Sequence, residues 1–350
     1  MDSNGLVDGV KAREVPALAR AISLVEDGRP GYEALLSELH PSVGRSHRIG
    51  ITGPPGAGKS TLIEGLVWGY RERDETVAVV AVDPTSTFSG GALLGDRIRM
   101  ESVALDPGVF IRSMASRGGV GGLATTTREV CDVLDAFGFD RIIVETIGVG
   151  QSELAIAGSA DTTALVLVPE SGDGVQMLKA GVMEIADLYV LNKADRPGAD
   201  RLVNELEVML GIRRGDALRH VSPYHHRKGR QSGEIGRAGG DAGEGAWDSP
   251  VLKTVAIRGE GVDALLDTFA AHYAYLRDTG RLGTLRRERL ARHTREVVDR
   301  TLSDLVWRQG DGEAALEAGL DDIVSGRISP YGLARDIVAD LHRGANHDGA

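Results

Sequence analysis

At 350 residues the chain is long for one compact domain, so a central domain with additions is the expectation. A hydrophobic content of 42% is ample for a core, whereas a net charge of -11 argues against a general nucleic-acid or anionic-membrane surface and leaves proteins and small anions as partners. Cys131 is the only cysteine, so neither a disulfide nor a thiolate zinc cluster forms within one chain, which fits a reducing cytoplasm. Met1-Asp2-Ser3-Asn4-Gly5 carries acid where a signal peptide carries base, and no apolar run approaches the roughly 18 residues of a spanning helix.

Residues 1–44 read as a helical extension. Leu18, Ile22 and Val25 share one face until Gly28 stops the pattern, and Leu35, Leu36 and Leu39 form a second stripe. The run Arg48-Ile49-Gly50-Ile51-Thr52 is β-prone and leads into Gly53-Pro54-Pro55-Gly56-Ala57-Gly58-Lys59-Ser60, which matches G-x-x-x-x-G-K-[ST] at every fixed position. Thr61-Leu62-Ile63-Glu64-Gly65-Leu66-Val67 follows with helical apolar spacing. A loop turning from strand to helix points successive N–H groups at a nucleotide's phosphates, and the helix dipole adds to them. Lys59 supplies a charge for the β and γ phosphates and Ser60 an oxygen for Mg²⁺.

Apolar β-prone runs then alternate with helical stretches. Val77 to Val82, Val109 to Ile111, Ile142 to Val144, Ala164 to Val168, Leu188 to Leu191 and Val251 to Val255 are the candidate strands. Most are apolar on both faces, so the fold class is α/β, a P-loop NTPase with a mostly parallel sheet between helix layers, spanning 45–282. Ligands on such sheets sit at the carboxyl ends of the strands. Two of those ends carry acid, Asp83 and Glu145, and carboxylates there can hold Mg²⁺ directly or through water. An Asp at a strand end also caps helices, but two acids at matching ends favour the metal.

Glu145-Thr146-Ile147-Gly148 has the acid-x-x-Gly form of a nucleotide switch, in which the Gly N–H senses the γ-phosphate. The next residue is Val149, where many small GTPases carry the Gln that orients the attacking water. Valine cannot do so, and slow intrinsic hydrolysis is expected, with the water-ordering group supplied by another segment or by a partner. Asn192-Lys193-Ala194-Asp195 closes a strand and reads as the guanine-selecting N-K-x-D element. The Asp195 carboxylate accepts from N1–H and the exocyclic amine of guanine, whereas adenine presents an acceptor at N1. The stretch from about Ile212 to Trp247, with His225 and His226 side by side, reads as a solvated insertion. Beyond Gly283 the pattern is helical. Leu290, Val297, Val298, Leu302 and Leu305 make one stripe, Leu316, Leu320 and Ile323 another, and Ser329-Pro330 opens a last helix carrying Leu333, Ile337 and Leu341.

With these residues in hand, the chain resembles the P-loop GTPases in which Glu replaces the Asp of the third motif. Within them it is similar to the methylmalonyl-CoA mutase-associated GTPase family, the MeaB/ArgK type. The likeness rests on Glu145 and on residues 48–60, 83–97, 113–118, 148–153 and 172–179. It implies a GTPase that gates cofactor delivery to, and protects, an adenosylcobalamin-dependent acyl-CoA mutase, with methylmalonyl-CoA mutase the first candidate. A cobalamin adenosyltransferase is a further implied partner. Residue by residue, the resemblance gives GTP or GDP to Gly53 through Thr61, Gly148, Asn192, Lys193, Asp195, Val255, Ala256 and Ile257. Mg²⁺ goes to Ser60, Asp83, Asp96 and Glu145, and catalysis to Lys59, Asp83, Asp96, Glu145 and Lys179. Asp173, Gln176 and Lys179 lie in the segment this family uses as an additional switch. The fifth motif is usually Ser-Ala, and Val255 here replaces the Ser; Ala256 N–H remains to contact the base oxygen. Residues 283–350 correspond to the family's dimer arm, implying a homodimer. Two other readings stand beside this one. A metallochaperone GTPase would want a Cys or His cluster, which a lone Cys131 opposes, and a transport-linked kinase or ATPase is opposed by Asn192 to Asp195.

Overall fold

The computed structural model describes residues 3–83, 102–115, 120–146, 158–169, 185–213 and 246–345. The chain divides into two compact units, Met1–Leu285 and Arg286–Ala350. Among the described residues the first unit has seven parallel strands, β1 (His47–Thr52), β2 (Val77–Asp83), β3 (Val109–Ala115), β4 (Arg141–Thr146), β5 (Thr162–Leu167), β6 (Leu188–Leu191) and β7 (Val251–Lys253). Their order is β3-β2-β4-β1-β5-β6-β7. Each strand falls on an apolar run anticipated from the sequence. β7 is shorter than the run Val251 to Val255: Thr254 N–H still donates to the Leu191 carbonyl at 2.9 Å, but β6 ends at Leu191 and Val255 bridges antiparallel to Glu260 instead.

Successive strand residues point to opposite faces, and this sorts the apolar runs into separate cores. Ala78, Val80 and Val82 of β2 join Ile142 and Val144 of β4 in a core closed by α1 (Ser3–Lys11), α2 (Val15–Glu26), α3 (Tyr32–Leu39) and α5 (Val120–Phe137). The alternate residues Val77, Val79 and Ile143 enter a second core with Ile49 and Ile51 of β1, closed by α4 (Lys59–Glu72) and α7 (Val262–Asp278). Leu165, Leu167, Tyr189 and Leu191 form a third against α6 (Ala199–Arg213). Leu18, Ile22 and Leu35 are fully buried. The N-terminal helices therefore seal a sheet face, each such side chain contributing about 1.5–3 kcal/mol.

The entry to β1 is fixed by Asp135 of α5. Its buried carboxylate accepts from the backbone N–H groups of Gly44, Arg45 and Ser46 at 2.9, 3.0 and 3.0 Å, and Arg48 reaches it at 3.0 Å. That anchor sets where β1 delivers the glycine-rich loop at its other end.

At the amino end of the sheet, His47 Nε2 and His272 Nδ1 each lie 2.8 Å from Thr162 Oγ1. Trp247 packs on His272 with ring centroids 4.7 Å apart and donates from Nε1 to the Asp187 carbonyl at 2.8 Å. Trp247 thus pins the far end of the expected insertion, whose histidines lie outside the described residues. Burial pushes the His272 pKa down to about 4, outweighing the Asp161 carboxylate. The ring is therefore neutral in the fold.

α8 (Arg281–Asp304) leads into the second unit, where a π-helical turn (Leu305–Gln309) precedes α9 (Gly312–Val324) and α10 (Pro330–Ala345). Ser329 caps α10 as its sequence requires, accepting from Gly332 N–H at 3.1 Å. In this unit Leu302, Trp307, Val324 and Tyr331 are exposed. No helix among the described residues is long and apolar enough to cross a membrane.

Candidate nucleotide site

The glycine-rich loop leaves the carboxyl end of β1 and enters α4 at Lys59. Two of its glycines have no substitute. Gly53 has φ +145, and a Cβ there would lie 2.1 Å from the Val166 carbonyl of β5; Gly58 has φ +85, and its Cβ would lie 2.5 Å from Asn192 Nδ2. Lys59 is buried, its ammonium donating to the Gly53 carbonyl at 2.8 Å and the Pro54 carbonyl at 3.1 Å. The amine thus lies over the loop that the sequence assigns to phosphate. Pro55, Gly56 and Ala57 complete the turn, with Ala57 N–H donating to the Pro54 carbonyl at 3.2 Å.

Beside the loop, Ser60 Oγ donates to Glu145 Oε1 at 2.9 Å, with Glu145 on the buried end of β4. The register explains the meeting: Glu145 pairs with Ile51 of β1 and Ala81 of β2, so it stands between the strand that feeds the loop and the strand ending in Asp83. Thr146 Oγ1 donates to Thr52 Oγ1 at 3.0 Å and fastens the two strand ends. Sequence reasoning missed that pair, since nothing in the chain signals a cross-strand hydroxyl contact. The Asp83 side chain and all of Asp96, Gly148, Val149, Asp173, Gln176 and Lys179 lie outside the described residues.

The third segment comes from the end of β6. Asn192 is buried and holds three pieces of chain together. Its Nδ2 donates to the Ala57 carbonyl at 2.8 Å, while its Oδ1 accepts from Thr254 Oγ1 at 3.1 Å and Ala256 N–H at 3.1 Å. Lys193, at a left-handed φ of +55, donates from Nζ to the Gly56 carbonyl at 2.8 Å. The glycine-rich loop, the Asn192–Lys193 segment and the 254–256 turn are thereby one hydrogen-bonded assembly. The Ala256 N–H, expected to contact a base oxygen, is engaged with Asn192 here. Val255 is buried, and Ile257 is 85% exposed. Asp195 stays half-exposed, with Arg258 Nη1 3.4 Å from its Oδ2. Thr61, Ala256 and Ile257 meet again as walls of an open cavity of about 430 Å³, which extends along α4 past Glu64 to Trp68. A backbone-lined loop with a buried ammonium, a hydroxyl–carboxylate pair and an accessible carboxylate on one sheet edge suit a nucleotide's phosphates, a hard cation and a base edge respectively.

Comparison with known proteins agrees with this geometry. The family described as "Methylmalonyl Co-A mutase-associated GTPase MeaB" matches residues 18–311. A protein of Pyrococcus abyssi is 41% identical over 341 residues, covering 96% of each chain. The GTPase ArgK of Escherichia coli is 31% identical, covering 91% of this chain and 90% of its own. The mouse mitochondrial methylmalonic aciduria type A homolog is 34% identical over 296 residues, which are 81% of this chain and 65% of the mouse protein. Among solved structures, that of a LAO/AO transport system kinase shares the fold, with a TM-score of 0.62 at 24% identity over 97% of both chains.

Proposed function

The chain belongs to the methylmalonyl-CoA mutase-associated GTPase family and is a GTPase, and from that premise we propose that it gates cofactor delivery to an adenosylcobalamin-dependent acyl-CoA mutase and protects that enzyme. The observation that carries the reading is the family match across residues 18–311, with the relationship to the mouse methylmalonic aciduria protein in support. Methylmalonyl-CoA mutase is the first client, with a cobalamin adenosyltransferase upstream of it. The setting is the cytoplasm. Cys131 is buried, and burial pushes its thiol up to about 12, so it packs as a core residue. This disfavours the metallochaperone reading.

At the site, Lys59 and the loop amides bind the phosphates, and Asp195 takes the guanine edge. The adjacent Ser60 hydroxyl and Glu145 carboxylate are the oxygen donors a hard cation prefers, and with Asp83 and Asp96 they would hold Mg²⁺. When bound, that ion neutralises phosphate charge. Thr52 and Thr146 keep Glu145 aligned, and Asn192 keeps Asp195 in step with the loop. Val149 orients no water, so hydrolysis by the free protein is slow. The segment bearing Asp173, Gln176 and Lys179 responds to the mutase, Lys179 bringing charge to the transition state once docked. The exposed Leu302, Trp307, Val324 and Tyr331 of the second unit are covered by a second copy in a homodimer.

The test is co-elution of the full chain with purified methylmalonyl-CoA mutase, in GDP, a non-hydrolysable GTP analogue or the matching ATP analogue. Complex formation that differs between GDP and the GTP analogue, with the ATP analogue inert, is expected. Absence of any complex in all three, or equal complexes in all three, would overturn the chaperone reading.

A further inference from the structure

The turn after Thr254 presents Arg258 to the residue that reads the base. Its placement is over-determined. Arg258 N–H donates to the Val255 carbonyl at 2.9 Å, and Val255 N–H donates to the Glu260 carbonyl at 3.0 Å, closing a tight loop. Within that loop the guanidinium fork is taken by Glu260, Nε reaching Oε1 at 2.7 Å and Nη2 reaching Oε2 at 3.3 Å. A planar fork held on two nitrogens has one direction left for the third. Here Nη1 faces Asp195 Oδ2 at 3.4 Å. The backbone of the same turn is tied back through Ala256 N–H to Asn192, three residues before Asp195. Arg258 and Asp195 therefore belong to two segments already locked together.

We propose that Arg258 is a positioning residue for base selection: held by Glu260, it fixes the plane of the Asp195 carboxylate so that both oxygens face the base edge. The inference rests on the reading of Asp195 as the guanine acceptor. Two-point recognition needs both carboxylate oxygens oriented at once, whereas a base lacking the exocyclic amine needs one. A loosened carboxylate thus penalises guanine more than hypoxanthine. The pair is solvent-exposed, where screening keeps a single ion pair weak, so the effect is limited to about fivefold. Among the described residues the Arg258 guanidinium bonds to Glu260 and Asp195 and to no group of the glycine-rich loop, so the effect falls on base discrimination.

The experiment measures dissociation constants for GDP and IDP on the full chain by displacement of a fluorescent guanine nucleotide. Arg258→Ala is expected to lower the GDP-over-IDP preference about threefold to fivefold, with IDP affinity held within about twofold. Arg258→Lys should recover part of the preference, a pattern that a general loss of loop structure would not give. Should Arg258→Ala fold poorly, Glu260→Gln weakens the fork's anchor while leaving the guanidinium in place, and it should lower the same ratio. Asp195→Asn is run alongside, because its amide can donate to the 2-oxygen of xanthine. If Asp195→Asn turns preference toward XDP while Arg258→Ala and Glu260→Gln leave the ratio unchanged, the Arg258 inference is overturned and the base reading stands. If Asp195→Asn produces no such turn, the base reading fails and the inference with it.

Discussion

Replacing Asn192 with Ala tests whether the three segments of the site form one mechanical unit. The side chain is 2% exposed and makes three hydrogen bonds, to the Ala57 carbonyl, from Thr254 Oγ1 and from Ala256 N–H. At about 1 kcal/mol for each bond, the loss is about 3 kcal/mol of folding stability, with partners stranded in a buried place pressing the figure upward. Thr254→Val removes only the bond between Thr254 Oγ1 and Asn192 and should cost about 1 kcal/mol. Urea unfolding followed by far-ultraviolet circular dichroism gives both numbers, provided m is unchanged. Guanine-nucleotide affinity, read on the same samples by fluorescent-nucleotide titration, should fall at least about tenfold in Asn192→Ala, since Asp195 loses its fixed distance from the phosphate loop. An Asn192→Ala protein within about 0.5 kcal/mol of wild type, or a Thr254→Val protein losing as much as Asn192→Ala, would refute the reasoning.

Three further outcomes are expected. Gly58→Ala should cost about 2 kcal/mol in urea unfolding and lose most nucleotide affinity, because φ +85 is strained for alanine and the new Cβ would meet Asn192 Nδ2. Lys59→Met should weaken GTP binding more than about tenfold by calorimetry while keeping the circular dichroism spectrum, and unchanged binding would count against the phosphate role. His272 has its folded pKa held at about 4 against an unfolded value near 6.5. The unfolded chain therefore binds the extra proton first, and stability present above about pH 6.5 is lost as pH falls toward about 4, on the order of 3 kcal/mol in all. His272→Gln should flatten that part of the pH profile of urea unfolding, and parallel profiles for variant and wild type would sink the assignment.

Much of this architecture was legible in the chain because two periodicities were clean. The runs at Val77 to Val82 and Ile142 to Val144 are apolar at every position, and the fold uses the alternation to feed two different cores from one strand. The glycine-rich loop announced its strand, its turn and its helix, since φ values of +145 and +85 admit little else than Gly53 and Gly58. Less visible were contacts that depend on register between distant strands. The Thr52–Thr146 pair is 94 residues apart, and Asp135 reaches the start of β1 from 89 residues further along the chain. Neither has a local signature, because strand order and offset decide them. Arg258 lay between: Arg258-Gly259-Glu260 offers a charge pair two residues apart, but only the fold brings it to Asp195. The early end of β7 was hidden by the apolar pattern, because its neighbour β6 stops at Leu191 and Val255 pairs with Glu260 instead.

The central claim is that nucleotide cleavage at Lys59 is coupled to another protein, and single-turnover hydrolysis of radiolabelled GTP addresses it most directly. Measured on the full chain alone and with a saturating excess of methylmalonyl-CoA mutase, the rate should be slow alone and rise at least about tenfold with the mutase, a difference of about 1.4 kcal/mol in barrier height. A rate that is the same in both tubes would contradict the account.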